Sequence, residues 1–307
     1  MPRGRVPPPV VALFRDRKQT IKEKGECTIP PNPKAVGFPR AILMKTAIIS
    51  DIHSNPTALN ACLADAEKKG CERIVCLGDI VGYGYDPVEC IRICRDKNIR
   101  CIMGNHDAGL VGRLSLDWFN GFAKAAIERQ ISIVGDEDKK WIDRLPYKEL
   151  EWSEIGVPIA FAHGTLEFPG RFDYIQGPSD VALEFPYLKS QRIRALFVGH
   201  THFANAYFIE EDYSICELFM DYEDATEINL DDGEATIVNV GSCGYPRNQP
   251  FSIYCIYDDE KHTATHQILP FDFDDYIAKM EQAGCAVPLW VEAQKKYAEK
   301  KGGVRWK

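Results

Sequence analysis

Five short apolar runs, each rich in β-branched residues and each ending in polar side chains of metal-ligand type, constrain this chain more than any other feature. Residues 46–49 lead into Asp51, residues 73–77 into Gly78-Asp79, and residues 100–103 into Gly104. Further on, residues 158–161 lead into His163 and residues 194–198 into Gly199-His200. Continuous apolar runs this short suggest strands buried on both faces. Helical patterns over 56–69 and 87–97 separate the first three runs, and strand–helix–strand alternation implies parallel pairing through right-handed crossovers. Loops at the C-terminal ends of such strands converge on a crevice where ligands bind. An α/β fold with its chemistry at one edge is therefore expected.

The polar blocks read Ser50-Asp51-Ile52-His53, Gly78-Asp79, Gly104-Asn105-His106-Asp107, Ala162-His163-Gly164 and Gly199-His200-Thr201-His202. They hold five of the seven histidines, whose imidazoles join carboxylates as the mixed nitrogen and oxygen ligands that divalent Mn, Fe, Zn or Ni accept. Gathered in space, the blocks offer seven ligand candidates, too many for one tetrahedral ion. Two ions sharing one carboxylate account for the number, and paired ions are a recurrent device for displacing an oxygen at phosphorus. Glycines before Asp79, Asn105 and His200 suit sharp turns out of a strand. Gly-Asp alone is an ordinary turn pair, so Asp79 takes its meaning from its place between the other blocks. His262 and His266 fall outside any motif, and a lone histidine is usually a satisfied core or surface residue. They receive no role.

With these blocks in this order, the sequence resembles the calcineurin-like metallophosphoesterases, and within them the small bacterial and archaeal phosphodiesterase group, from about Lys45 to about Ala283. The resemblance implies a four-layer α/β/β/α sandwich with two mixed sheets. It also implies two divalent ions, manganese foremost, with iron, nickel, zinc or magnesium as alternatives. Asp51, His53 and His202 would hold one ion; Asn105, His163 and His200 would hold the other; Asp79 would bridge them. His106 would face the substrate phosphate, with Asp107 orienting it from behind. No motif position departs from the family pattern. Residues 239–242 resemble the family's loop beside the metals.

Phosphoester hydrolysis needs a nucleophile at neutral pH, charge neutralisation and a proton for the leaving oxygen. The expected nucleophile is a hydroxide bridging the two ions and attacking phosphorus in line, because metal-bound water is acidified toward neutrality. His106, its charged form favoured by a carboxylate behind it, is the expected proton donor. Backbone N–H groups around Gly241 and the Ser242 hydroxyl are expected to donate to phosphate oxygens, and Arg247 to offer a bidentate contact. Asn55 and Tyr83 are weaker candidates for the pocket rim. The expected substrate is a small phosphodiester or phosphomonoester. Dinucleoside polyphosphates and phosphoproteins are alternatives, and a non-catalytic protein-interaction scaffold of the same fold is the rival from another class. A chain that keeps every ligand fits the scaffold poorly.

Charge and composition divide the chain. Residues 1–43 hold eight of the 19 prolines and nine basic against three acidic residues. Such a segment cannot build a core and is expected to be disordered, with Met44 the favoured physiological start. The remainder carries 28 basic and 42 acidic residues. That body repels a nucleic-acid backbone, so duplex nucleic acid is not an expected partner. No apolar stretch approaches the ~20 residues that span a bilayer, so no membrane partner is expected. The odd total of 11 cysteines and the lack of a secretory signal fit reduced thiols in the cytoplasm. Oligomeric state stays open.

The expected organisation is an extension over 1–43, the enzyme domain over 44–287, and a peripheral helix with a basic tail over 288–307. Within the domain, 116–144 reads as helical with a break near Gly135 and Trp118, Phe119, Phe122, Ala126 and Ile127 on one face. Strands follow over 147–161, then an aromatic Gly/Pro loop at 169–178 and a short helix over 179–185. After His202, antiparallel strands are expected at 205–209, 236–240, 252–257 and 264–270, with a helix over 272–282. The acidic segment 217–234 reads as a solvated hairpin.

Overall fold

The computed structural model describes residues 44–153, 156–220, 227–247, 251–288, 291–292 and 294–296. The readings of the proline-rich extension and of the basic tail lie outside them. Strands β1 (Lys45–Ile49), β2 (Arg73–Cys76) and β3 (Arg100–Cys101) pair in parallel, joined by helices α1 (Pro56–Lys68) and α2 (Pro87–Asp96). Both helices start the same way. Asn55 and Asp86 accept from Ala58 and Glu89 backbone N–H groups, and a proline pre-set for helical φ occupies the first turn. They also stop alike, at the left-handed residues Gly70 and Asn98.

Next come the short helix α3 (Asn105–Leu110), α4 (Gly121–Ile133) and α5 (Asp136–Ile142). The break at Gly135 falls where expected. Trp118, however, lies in a separate 3-10 turn and is 77 % exposed, so the buried stripe of α4 is Ala123, Ile127 and Gln130. Strands β4 (Lys148–Trp152) and β5 (Pro158–Ala162) precede α6 (Pro178–Ser190). This helix continues past the expected end at residue 185 and includes Pro186.

The remaining elements are β6 (Ala195–Val198), β7 (Ala204–Ile209), β8 (Ile215–Phe219), β9 (Glu227–Asn229), β10 (Ala235–Val240), β11 (Phe251–Asp258), β12 (Thr263–Pro270) and α7 (Phe273–Gln282). They complete two six-stranded mixed sheets, ordered β3-β2-β1-β11-β12-β9 and β4-β5-β6-β10-β7-β8. Two expectations need correction. The acidic segment is not a hairpin, because β8 pairs with β7 in one sheet while β9 pairs with β12 in the other. Nor is every strand after His202 purely antiparallel, since β10 lies parallel to β6 on one side and antiparallel to β7 on the other.

Strand alternation builds the layers. Ile48 and Val75 on the first sheet meet Phe161, Phe197, Val238 and Val240 on the second, forming a core between sheets. Their sequence neighbours point outward: Ala47 and Ile49 pack toward α1 and α2, while Leu196 and Ile237 pack beneath α6. The result is the expected α/β/β/α stack. Fully burying one such aliphatic side chain contributes roughly 1.5–3 kcal/mol, so three stacked cores make a rigid frame for the loops that leave it. His262 and His266 are buried, His266 with Nε2 donating to the Asn239 carbonyl at 2.8 Å.

Candidate metal centre

The seven ligand candidates converge at the strand ends where the two sheets meet. Asp51 and His53 follow β1, Asp79 follows β2 and Asn105 follows β3, all in the first sheet. His163 follows β5, and His200 and His202 follow β6, in the second. Neither sheet carries a complete set.

Backbone strain turns these side chains inward. Asp51, His53, Asp79, His200 and His202 all adopt positive φ, between 46° and 68°. Left-handed backbone costs a non-glycine residue on the order of 1–2 kcal/mol, and loop-to-loop hydrogen bonds hold it there. Asp51 N–H donates to Gly78 O at 3.1 Å and His53 N–H to Asp79 O at 2.9 Å. On the other side, Cys243 and Gly244 N–H donate to Ser50 O and Asp51 O. Gly104 and Gly199 make this approach feasible. A Cβ on the first would strike the Asp79 carboxylate, and on the second Ser50 and Asp51.

Hydrogen bonds assign the ring nitrogens. His53, His163 and His202 direct Nδ1 to the carbonyls of Val81, Leu77 and Tyr245 at 3.0, 2.8 and 2.6 Å, and His200 directs Nε2 to Phe172 O at 2.9 Å. A carbonyl only accepts, so each of these nitrogens carries a proton, and the other faces inward, free to bind a metal ion or a second proton. The inward nitrogens meet in two pairs. His53 Nε2 lies 3.2 Å from His202 Nε2, and His163 Nε2 lies 3.0 Å from His200 Nδ1. Lone pairs facing at that distance repel unless a cation sits among them.

The oxygens complete the two groups. Asp51 Oδ2 accepts from His200 N–H at 3.0 Å, whereas Oδ1, buried and without a hydrogen-bond partner, lies 3.2 Å from His202 Nε2. Asp79 Oδ1 accepts from His106 N–H at 2.8 Å. Its Oδ2 stands between the pairs, 3.6 Å from His53 Nε2 and 3.3 Å from His163 Nε2. Asn105 Oδ1 is 3.1 Å from His163 Nε2. The donor set fits divalent ions in number, softness and direction.

Electrostatics support the same picture. Burial opposes charge on His163, but the Asp79 and Asp51 carboxylates outweigh it and lift that ring to about 9. Without metal, a proton serves as the cation between His163 and Asp79. Burial pulls His200 down to about 3 and His202 to about 4, so both stay neutral.

Several expected roles are corrected by what the atoms touch. Asp107 does not sit behind His106: its carboxylate accepts from Ile80, Val81 and Gly104 N–H at 3.0–3.2 Å, tying α3 to the loop after β2. Burial drives the His106 ring well below its ordinary pKa despite Asp79 nearby, so it is neutral rather than charged, and its buried Nδ1 has no partner. Gly241 N–H is spent on Asn239 Oδ1. The Ser242 hydroxyl donates to Asp51 O and accepts from Tyr245 N–H, so it braces the Asp51 loop instead of facing substrate. Asn55 caps α1 and donates to Gly244 O.

Arg247 does stand at the centre. Its guanidinium lies 5.9 and 6.0 Å from the rings of Tyr83 and Tyr245 and donates to the Tyr83 hydroxyl at 3.3 Å. Among the described residues no carboxylate pairs with it. Three residues escaped notice in the sequence. Tyr245 stacks on Tyr83 with ring centroids 4.1 Å apart. Gln130 reaches from α4 to bond Gly82 N–H at 2.6 Å, Ser54 Oγ at 3.0 Å and Gly84 O at 3.3 Å. Tyr174 stacks on His200. Only Gln130 left a signal, as a polar residue within the apolar stripe of a helix.

Two mixed sheets with a histidine–carboxylate centre at their common edge define a metal-binding hydrolase of phosphoric esters. The chain belongs to the calcineurin-like phosphoesterase superfamily, whose domain it matches over residues 44–262. It is 37 % identical over 215 residues to an uncharacterised protein of Methanocaldococcus jannaschii, covering 70 % of this chain and 82 % of that one. The crystal structure of a metallophosphoesterase from Sphaerobacter thermophilus is similar at 31 % identity and a TM-score of 0.67, covering 82 % of this chain and 98 % of that one. A hypothetical protein from Pyrococcus horikoshii shares the fold at 17 % identity and a TM-score of 0.62, over 81 % and 97 % of the two chains.

Proposed function

We propose that this protein hydrolyses small phosphate esters at a two-ion centre formed by Asp51, His53, Asp79, Asn105, His163, His200 and His202. One observation carries the reading: two pairs of inward imidazole nitrogens at 3.2 and 3.0 Å, with Asp79 Oδ2 between them. Divalent ions bound there, manganese being our first choice, supply a nucleophile at neutral pH and neutralise phosphoryl charge.

The chain's own groups do the rest. Asp51, His53 and His202 would hold one ion, Asn105, His163 and His200 the other, and Asp79 would serve both, its Oδ1 already fixed by His106 N–H. Arg247, a cation with no carboxylate partner among the described residues and flanked by two tyrosine rings, would contact the anionic substrate. His106, neutral and tethered beside Asp79, acts as a hydrogen-bond donor to the phosphoryl or leaving oxygen rather than as a stored proton. Residues 44–287 would suffice for this work, since every group named lies within them. Among the described residues no helix is long and apolar enough to cross a membrane, and we place the protein in the cytoplasm on its thiol-rich, disulfide-free core.

The test is hydrolysis of bis(nitrophenyl) phosphate and nitrophenyl phosphate by chelator-stripped protein reloaded with Mn, Ni or Mg, alongside metal analysis. Turnover that returns with two ions per chain is the expected result. Silence with every metal would sink the proposal in favour of a non-catalytic scaffold.

A further inference from the structure

One wall of the centre comes from a loop that contributes no ligand. Phe172, with a left-handed φ of 54°, offers its carbonyl to His200 Nε2 at 2.9 Å. The next carbonyl, Asp173 O, accepts from Thr165 N–H at 3.2 Å and lies so close that a Cβ on Gly164 would strike it. Residues 172–173 are thereby pinned to both histidine motifs of one ion position.

Tyr174 follows immediately. Its ring lies flat on His200, with centroids 3.7 Å apart and planes 11° from parallel. It remains 41 % exposed, and among the described residues its hydroxyl makes no hydrogen bond. The charged groups that act on the phenol are Arg247, Asp79 and Asp51, all members of the centre. A phenol keeps its proton at neutral pH, so the hydroxyl is available as a donor. Stacking on His200 requires only a ring, and phenylalanine would serve as well. The hydroxyl therefore asks for a separate reason.

We propose that Tyr174 is a substrate-contacting residue, its hydroxyl donating a hydrogen bond to a phosphoryl oxygen from the His200 side while Arg247 approaches from the side of His53 and His202. The inference rests on the phosphoester reading of the centre and extends it to this loop. Phosphate would then be held by donors from both flanks, one charged and one neutral.

Tyr174→Phe removes the hydroxyl and keeps the stack; Tyr174→Ala removes both. For the metal-loaded full chain, metal content, kcat and KM on both nitrophenyl esters, and calorimetric affinity for inorganic phosphate are measured. We expect Tyr174→Phe to retain two ions, to bind inorganic phosphate about tenfold more weakly, and to lose about ten- to a hundredfold in kcat/KM, the scale of one hydrogen bond to a charged group. Tyr174→Ala should lose more. Turnover and phosphate affinity both unchanged in Tyr174→Phe would overturn the proposal, leaving the ring a cover for His200. Loss of metal from Tyr174→Phe would overturn it too, since the residue would then act through His200. If the unmutated protein cleaves no ester, the functional reading fails instead, and the phosphate titration still decides whether the hydroxyl touches the anion.

Discussion

The two proposed ion positions share Asp79 but differ in charge and enclosure. The Asp51–His53–His202 position has a carboxylate of its own, and Tyr83 and Tyr245 stand edge-on to His53 at 4.7 and 5.5 Å. The Asn105–His163–His200 position offers a neutral amide in place of that carboxylate, under a tyrosine that is 41 % exposed. A carboxylate attracts a dication more strongly than an amide does, and that attraction is less screened where aromatic rings exclude water. On the proposed reading the first position would hold its ion more tightly than the second, the difference coming from a single amide and one exposed ring.

The largest effect should come from the residue common to both. Asp79→Asn is expected to lose paired metal binding and about 10³-fold or more in turnover. Metal analysis that still found two ions at undiminished affinity would end the bridging assignment, with circular dichroism as the folding control.

Next, His53→Ala and Asn105→Ala address the asymmetry itself. Each should cost about 10²-fold in turnover at limiting metal. In a chelator titration Asn105→Ala should keep one ion firmly and release the other early, whereas His53→Ala should weaken the firm one. Identical titration curves would erase the distinction between the positions.

His106→Ala should keep both ions and lose about 10²-fold, the lower end of what proton-transfer groups contribute, because the ring is neutral and has no carboxylate behind it. The loss should shrink with a nitrophenolate leaving group. Missing metal in this variant would instead make His106 a ligand, a role its proximity to His53 and Asp79 permits.

Gln130→Leu tests the frame on the enclosed side. Two hydrogen bonds to the loop carrying Tyr83 and one to Ser54 disappear, and stability should fall by about 1–3 kcal/mol in denaturant titrations, with metal stoichiometry preserved at saturation. A change confined to metal content would show that Gln130 acts on the ions rather than on the loop.

The smallest effect lies away from the centre. Burial lowers His266 to about 4 from an ordinary 6.5, so the folded state prefers the neutral ring. Its contribution is complete above pH 6.5 and is lost as pH falls toward 4. His266→Gln should flatten that acid limb in metal-free protein, as read from melting temperature against pH. An unchanged slope would assign acid sensitivity to other groups.

The sequence by itself determined which side chains meet. Short apolar runs read as strands, and each placed its polar block at a strand end, so the seven ligand candidates were legible without coordinates, although β3 lies at a sheet edge. The same reasoning found α1, α2 and α7 to within a residue, because caps and periodicity are local properties. It erred where a partner is remote in sequence. Asp107 was assigned to His106, its neighbour in the chain, but spends its oxygens on Ile80, Val81 and Gly104. Ser242 and Asn55 were read as substrate contacts, though buried hydroxyl and amide groups must first satisfy the backbone packed against them. The acidic segment was read as one hairpin because sequence adjacency cannot reveal that β8 and β9 join different sheets.

Only the tertiary structure decided the inward turn of the ligands and their two-sided enclosure. Positive φ at Asp51, His53, Asp79, His200 and His202 is uncommon outside glycine, though Asp and His tolerate it better than most residues. It persists because two sheets, each holding part of the set, press their loops together through hydrogen bonds that no single strand could make.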